Sequence, residues 1–142
     1  MSEDQIIRNC APTLAGNKTG SLFSCEYTVR QDMERSVARL NERLAGKGLH
    51  AMTLLYRQRT VLVYIFRPAK LLADLREGQA QRILSSCGYR PGGLYGYLRT
   101  LMERLRQSDT FPHEIGLFLG YPPEDVAGFI RSGGRDYKLV GF

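Results

Sequence analysis

Several signatures that would identify a function directly are missing from this sequence. Its 142 residues contain three cysteines, an odd number, and no two of them form a CxxC pair. Neither a GxGxxG nor a GK[ST] pattern occurs. These absences argue against a disulfide framework, a structural zinc site with paired ligands and a standard phosphate-binding loop. The cysteines are therefore interpreted as free thiols in a reducing compartment.

Long apolar runs, a secretory leader, internal repeats and low-complexity stretches are also missing. We therefore expect one cytoplasmic domain covering residues 1–142, with no membrane partner. Lysine and arginine total 20 against 14 acidic residues, and the arginines are dispersed, so the +6 charge predicts a solvated surface. No pattern indicates a particular cofactor, and the oligomeric state is left open.

Helical spacing is clearest between residues 32 and 45. Met33, Val37, Leu40 and Leu44 recur on one face, and Asp32 is the expected N-cap. Gly46 and Gly48 are expected to end the helix. Further helices are predicted over 69–76, 79–86 and 94–107.

Short apolar segments separated by turn residues predict the sheet. Residues 51–68 resemble a β-hairpin whose second strand, 61–66, is apolar throughout and so buried on both faces. Strands near 22–29 and 137–142 are expected to widen it. The predicted fold class is therefore α+β: a single domain with a small antiparallel sheet, centred on this hairpin, packed with about five short helices.

The segment 111–130, FPHEIGLFLGYPPEDVAGFI, is the most distinctive in the chain. We expect a short helix over 113–119, a left-handed stop at Gly120, and a second helix starting at Pro123. A short strand from Ile115 to Leu119 is the alternative. This segment and an N-terminal cysteine loop at 8–25 are the two candidate functional regions.

These stretches together resemble a bacterial family of unknown function, numbered 3793. The resemblance runs from about residue 8 to the end through CAPTLAGNKTGSLFSC, LVYIFRP, CGY, the 111–130 segment and GRDYKLVGF. It implies a small cytoplasmic bacterial protein, often from anaerobes, and no known activity. Similar proteins usually continue beyond the position of Phe142 with a further strand and tail. The family's characteristic residues correspond to Cys10, Pro12, Leu14, Lys18, Leu22, Phe23, Phe111, Pro112, His113, Glu114, Gly116, Tyr121, Pro122, Asp125, Val126, Tyr137, Lys138 and Gly141.

A thiol site is the leading functional hypothesis. Cys10 would be the nucleophile and His113 its base, with Glu114 or Asp125 orienting the imidazole. Backbone N–H groups near Ala11 to Thr13 would stabilise an oxyanion. The protein would then be a thiol-dependent enzyme or a thiol-based binder of a small anionic ligand. The expected ligand contacts are Lys18, Thr13, Tyr121 and Lys138. A buried structural cysteine and a histidine in a helix cap remain the simpler interpretation.

The sequence favours two other kinds of site less. A metal site using Cys10, His113, Glu114 and Cys25 lacks paired ligands at short spacing, so no metal is predicted. The corner at 113–130 has spacings near those of a helix-turn-helix, which makes a nucleic-acid or protein interaction module the alternative function. Glu124 and Asp125 at the start of its second helix would repel a phosphate backbone, so nucleic acid is the less favoured partner. A dispersed patch could still bind RNA or an anion: Arg99, Arg104, Arg106, Arg131 and Arg135.

Overall fold

The apolar segment at 61–66 forms the centre of the sheet. The computed structural model describes residues 18–132, and the predictions for Cys10, Thr13, Arg135, Lys138 and the strand at 137–142 lie outside them. The three strands are β1 (Gly20–Glu26), β2 (His50–Tyr56) and β3 (Thr60–Phe66), arranged antiparallel in the order β1-β3-β2. Every residue from Val61 to Phe66 is buried, which confirms burial on both faces.

The first helix of the described chain packs against this sheet. Helix α1 (Arg30–Leu44) buries Met33, Val37, Leu40 and Leu44, the four residues chosen by their spacing. They form a core with Val61, Val63 and Ile65, against which Phe23, Cys25 and Tyr27 of the β1 region pack. The apolar face of the helix and the apolar faces of the strands thus pack together in one cluster.

The predicted N-cap of α1 is wrong. The helix begins at Arg30 after Val29, and no side chain caps it. Asp32 lies inside the first turn, where its charge still favours the helix dipole, and it forms an ion pair of 3.6 Å with Arg35. At the other end, a 3-10 turn (Ala45–Lys47) leads to Gly48, whose φ of 71° confirms the left-handed stop.

Asn41 of α1 protects the outer edge of β2. Its amide nitrogen donates to the Ala51 carbonyl at 2.9 Å, and its oxygen accepts from the Ala51 N–H at 2.7 Å. A register shift between Thr53 and Leu55 also interrupts the regular ladder with β3. An edge strand whose backbone groups are already hydrogen-bonded, and whose ladder is irregular, is a poor template for pairing with a strand of another chain.

Five helices follow the sheet: α2 (Pro68–Arg76), α3 (Gly78–Ser86), α4 (Leu94–Gln107), α5 (Ile115–Phe118) and α6 (Pro123–Arg131). Glu77 caps α3, because its carboxylate accepts from the N–H groups of Gln79 and Ala80 at 3.0 and 3.1 Å. Helices α3 and α6 pack against each other, as do α5 and α6.

The corner at 111–130 has the predicted helical form. Gly120 has a φ of 90°, and α6 starts at Pro123 as expected. The alternative strand from Ile115 to Leu119 is wrong, because Ile115–Phe118 is one helical turn.

These elements form a small α+β domain, as predicted, with six α-helices in its described part where about five were expected. The domain divides into two compact units, residues 1–69 with the sheet and residues 70–142 with most of the helices. Among residues 18–132, no helix is both long and apolar enough to cross a bilayer.

Candidate functional site

The candidate site is a pocket of about 440 Å³ within the helical unit. Its wall comes from the start of the 111–130 segment, the end of α4 and the turn after α3. His113 and Glu114, both predicted from sequence, border it. The remaining lining residues are Cys87, Arg104, Gln107, Ser108, Thr110, Phe111, Pro112 and Ile130.

Glu114 is the centre of a buried polar cluster. The residue is completely buried at the N-cap position of α5, and its side chain makes no capping hydrogen bond. The Tyr89 hydroxyl donates to Glu114 Oε2 at 2.9 Å. Arg104 Nε donates to the same oxygen, and Arg104 Nη2 donates to Oε1 at 3.0 Å. A charged carboxylate is thus buried with both of its oxygens engaged, the condition under which such burial is tolerated.

Arg104 differs from Glu114 in its access to solvent. Its side chain retains 34% of its exposure, whereas that of Glu114 retains 1%. The hydrogen bond with Glu114 raises the pKa of the guanidinium above its ordinary value, so Arg104 remains charged. A molecule in the pocket therefore meets the guanidinium before it meets the carboxylate.

The cluster also shifts the acidity of two neighbouring groups. Burial, followed by the charge of Glu114, raises the pKa of Tyr89 above its ordinary value. The same two causes, in the same order, raise the pKa of the Cys87 thiol. Cys87 is therefore protonated near neutral pH and lacks the depressed pKa that marks a reactive thiolate.

His113 lies at the rim of the pocket. Its ring is exposed and meets Phe129 edge to face, with 5.2 Å between the ring centroids. In the described part of the chain, neither Glu114 nor Asp125 accepts a hydrogen bond from His113, and the carboxylate of Glu114 accepts from Tyr89 and Arg104 instead. Asp125 lies in the first turn of α6 and is half-buried.

Of the other predicted ligand contacts, Tyr121 is not among the residues that line this pocket. Tyr121 borders a separate cavity of about 190 Å³ with Asp74 and Glu77. Lys18 lies in the sheet unit, at the start of the described chain. Cys10, Thr13 and Lys138 fall outside residues 18–132, so their proximity to His113 stays a prediction.

Three residues of the cluster were not recognised as site residues in the sequence. The sequence indicates Cys87 only as a free thiol, Tyr89 only as part of the CGY stretch, and Arg104 only as one member of a dispersed patch that could bind RNA or an anion. The structure adds that the charge of Arg104 is paired with buried Glu114. One signal in the sequence could have linked these residues. The CGY and FPHE stretches both resemble the same family, and both contribute side chains to the cluster around Glu114.

The described residues give little support to a metal site or to a helix-turn-helix. No group of three or more metal-ligating side chains occurs between residues 18 and 132. The first helix of the corner, α5, is a single buried turn of four residues, and α6 carries Glu124 and Asp125 in its first turn. A helix-turn-helix needs a recognition helix whose start can approach phosphates and base edges, and these carboxylates oppose that approach.

Comparison with known proteins places the chain in a family. A family model described as protein of unknown function (DUF3793) matches residues 6–142. The chain belongs to the DUF3793 family. No curated protein and no solved structure matches it significantly. The family therefore confirms the resemblance carried by the sequence motifs, and any statement on activity depends on the geometry of the site.

Proposed function

We propose that the protein binds a small anionic ligand in the pocket bordered by Arg104 and His113. One observation carries this proposal: a guanidinium is fixed at the wall of an open cavity by a carboxylate that is itself completely buried. Because Glu114 has already restricted the Arg104 side chain, a ligand would lose less conformational entropy there than at a free surface arginine. Charge-assisted hydrogen bonds would then supply most of the affinity.

The thiol chemistry predicted from the sequence is a separate part of the proposal. Cys87, the thiol that borders the pocket, has a raised pKa and does not favour nucleophilic catalysis. Cys10 therefore remains the candidate nucleophile, and catalysis requires it to approach His113. Binding of the anion does not depend on that approach.

Binding is tested by titrating a panel of small carboxylates and phosphates while recording NMR shifts of backbone amides. We expect the largest shifts between residues 104 and 114, with dissociation constants on the order of 1 mM for fragment-sized ligands. His113→Ala should weaken binding several-fold. Arg106→Ala is the control for a lost positive charge and should leave binding unchanged, because Arg106 is an exposed arginine of α4 that does not border the pocket.

Thiol dependence is tested by alkylation of Cys10 against pH in a protein with Cys25 and Cys87 replaced by serine. A Cys10 pKa clearly below about 8.5 that returns to normal in His113→Ala would support the enzyme hypothesis. An ordinary pKa in both proteins would end that hypothesis and leave anion binding unaffected. If no anion in the panel shifts the 104–114 amides, the binding proposal itself is wrong.

A further inference from the structure

The unused donors of Arg104 define the class of anion that the pocket fits. We infer, on the basis of the proposed anion site, that the ligand is a singly charged planar carboxylate with a short apolar body. The same features disfavour the binding of phosphate and other dianions. Three properties of the pocket support this inference: the geometry of the guanidinium, the charge behind it and the apolar part of the wall.

The geometry of the Arg104 guanidinium favours a planar carboxylate. A guanidinium has five N–H donors in one plane. Glu114 occupies one on Nε and one on Nη2, so two remain on Nη1 and one on Nη2. The outer edge, formed by Nη1 and Nη2, is a parallel fork that matches the two oxygens of a second carboxylate. No described residue occupies Nη1, so this edge can receive the ligand.

The charge behind Arg104 then selects between anions. Arg104 and Glu114 cancel formally, so a second anion on the outer fork is attracted by the near guanidinium and repelled by the more distant carboxylate. The attraction and repulsion both scale with ligand charge, but a dianion also loses far more hydration on entering the cavity. Phosphate sites normally compensate for this with several cations or free backbone N–H groups.

Such compensation is scarce at this corner. The N–H groups of Ile115 and Leu117 are already bonded to the carbonyls of Pro112 and Glu114, at 3.1 and 3.0 Å. The lining contains one guanidinium, that of Arg104, and one imidazole, that of His113, whose ring packs edge to face against Phe129. The Arg104 fork is therefore the one permanently charged edge that the lining offers to a ligand, which suits a single negative charge.

The apolar part of the wall fits the remainder of the ligand. Phe111, Pro112 and Ile130 border the cavity, and the Phe111 side chain is 36% exposed. A volume of about 440 Å³ lies near the lower end of the range for small-molecule pockets. A short aliphatic or aromatic body on the carboxylate would cover this apolar surface, whereas inorganic phosphate would leave the surface exposed to water.

A series of three compounds with the same phenyl body tests the inference. Benzoate is a planar monoanion, methyl phenylphosphonate is a tetrahedral monoanion, and phenylphosphonate is a dianion at about pH 8. NMR titration of the wild-type protein should give the order benzoate, then the monoester, then the dianion, with roughly tenfold between the first and last. Because only the ligand changes, protein folding does not affect the comparison.

Glu114→Gln provides the protein side of the test. Removing the buried negative charge should reduce the preference for benzoate over phenylphosphonate at least threefold, and Arg106→Ala should leave it unchanged. Equal or tighter binding of phenylphosphonate by the wild type would overturn the carboxylate inference while leaving anion binding in place. Absence of binding by all three compounds, together with the wider panel, would overturn both. If the glutamine variant does not fold, the wild-type series alone decides.

Discussion

Two glutamates, one in each unit, have similar partners but different surroundings. Glu34 in the sheet unit accepts a hydrogen bond from Tyr56, whose ring lies beneath the Arg30 guanidinium at 4.1 Å. Glu114 in the helical unit accepts from Tyr89 and from Arg104. Glu34 is exposed and Glu114 is completely buried. The same chemical groups thus form a surface network in one place and a buried charged cluster in the other.

The difference in burial determines what each network can contribute. Solvent screens the groups around Glu34, so each of its interactions is worth little. Around Glu114, water cannot replace a missing partner, and removing one leaves a buried charge uncompensated. Matched substitutions in the two networks therefore separate the effect of burial from that of residue type.

The largest effect is expected for Arg104→Ala. This change leaves the Glu114 carboxylate buried without its charged partner and should lower the free energy of unfolding by about 3–5 kcal/mol. Arg30→Ala, the matched control, removes a cation that lies over an exposed network and should cost about 0.5–1 kcal/mol. Urea denaturation of both variants measures the difference. Similar losses in the two proteins would mean that Glu114 is effectively solvated.

The next effect concerns the tyrosine hydroxyls. Tyr89→Phe removes a hydrogen bond to a buried charged group and should cost about 1.5–3 kcal/mol. Tyr56→Phe should cost less than about 1 kcal/mol, because water can replace the hydroxyl beside Glu34. Thermal unfolding of each variant at one pH provides the test, and a larger loss for Tyr56→Phe would contradict the comparison.

Alkaline pH should weaken the fold through the same two tyrosines. Burial, together with the Glu34 hydrogen bond, raises the pKa of Tyr56 to about 12, and the pKa of Tyr89 is also raised. A raised pKa in the folded state means that the protonated form is favoured by folding. This stability is fully present below the ordinary tyrosine pKa of about 10 and is lost as the pH rises through the folded value.

The fall in unfolding free energy above about pH 10 should therefore be shallower in each phenylalanine variant than in the wild type. Tyr89→Phe should flatten it more than Tyr56→Phe, because Tyr89 is the more deeply buried hydroxyl. Urea denaturation at several alkaline pH values measures these slopes. Unchanged slopes in Tyr89→Phe would show that its hydroxyl ionises normally.

The smallest effect is expected for thiol reactivity. Burial raises the pKa of both the Cys25 and the Cys87 thiol above the ordinary value, and the charge of Glu114 adds to the shift only at Cys87. Alkylation of single-cysteine variants should therefore be slow at neutral pH for both thiols. Glu114→Gln should accelerate alkylation of Cys87 and leave Cys25 unchanged, which mass spectrometry can follow. Fast alkylation of Cys87 in the unmodified cluster would contradict the proposed electrostatics.

Much of the fold follows from local patterns that one sequence displays. The spacing of Met33, Val37, Leu40 and Leu44 predicted the buried face of α1, and the apolar run at 61–66 predicted a strand buried on both sides. Glycine and proline placed the corner at Gly120 and Pro123. The N-cap of α1 lies at Val29 rather than Asp32, because a carboxylate in the first turn gives nearly the same signal as one at the cap.

The sequence identified only some residues of the candidate site. His113 and Glu114 were recognised because they belong to a distinctive segment, but the partners of Glu114 are 25 and 10 residues away along the chain. No feature of the neighbouring sequence distinguishes Arg104 from the other arginines of α4. Its role depends on which face of the helix is directed at a buried carboxylate, and that is a tertiary property.

The sequence alone determined the α+β class, the positions of the hairpin and main helices, and the family. Periodicity and turn residues act through neighbouring positions, so they are visible without coordinates. The tertiary structure alone decided that Glu114 is buried, that Tyr89 and Arg104 satisfy it, and that Cys87 shares its pocket. Burial and charge pairing depend on groups distant in sequence, because the free energy of a charge is set by everything that surrounds it.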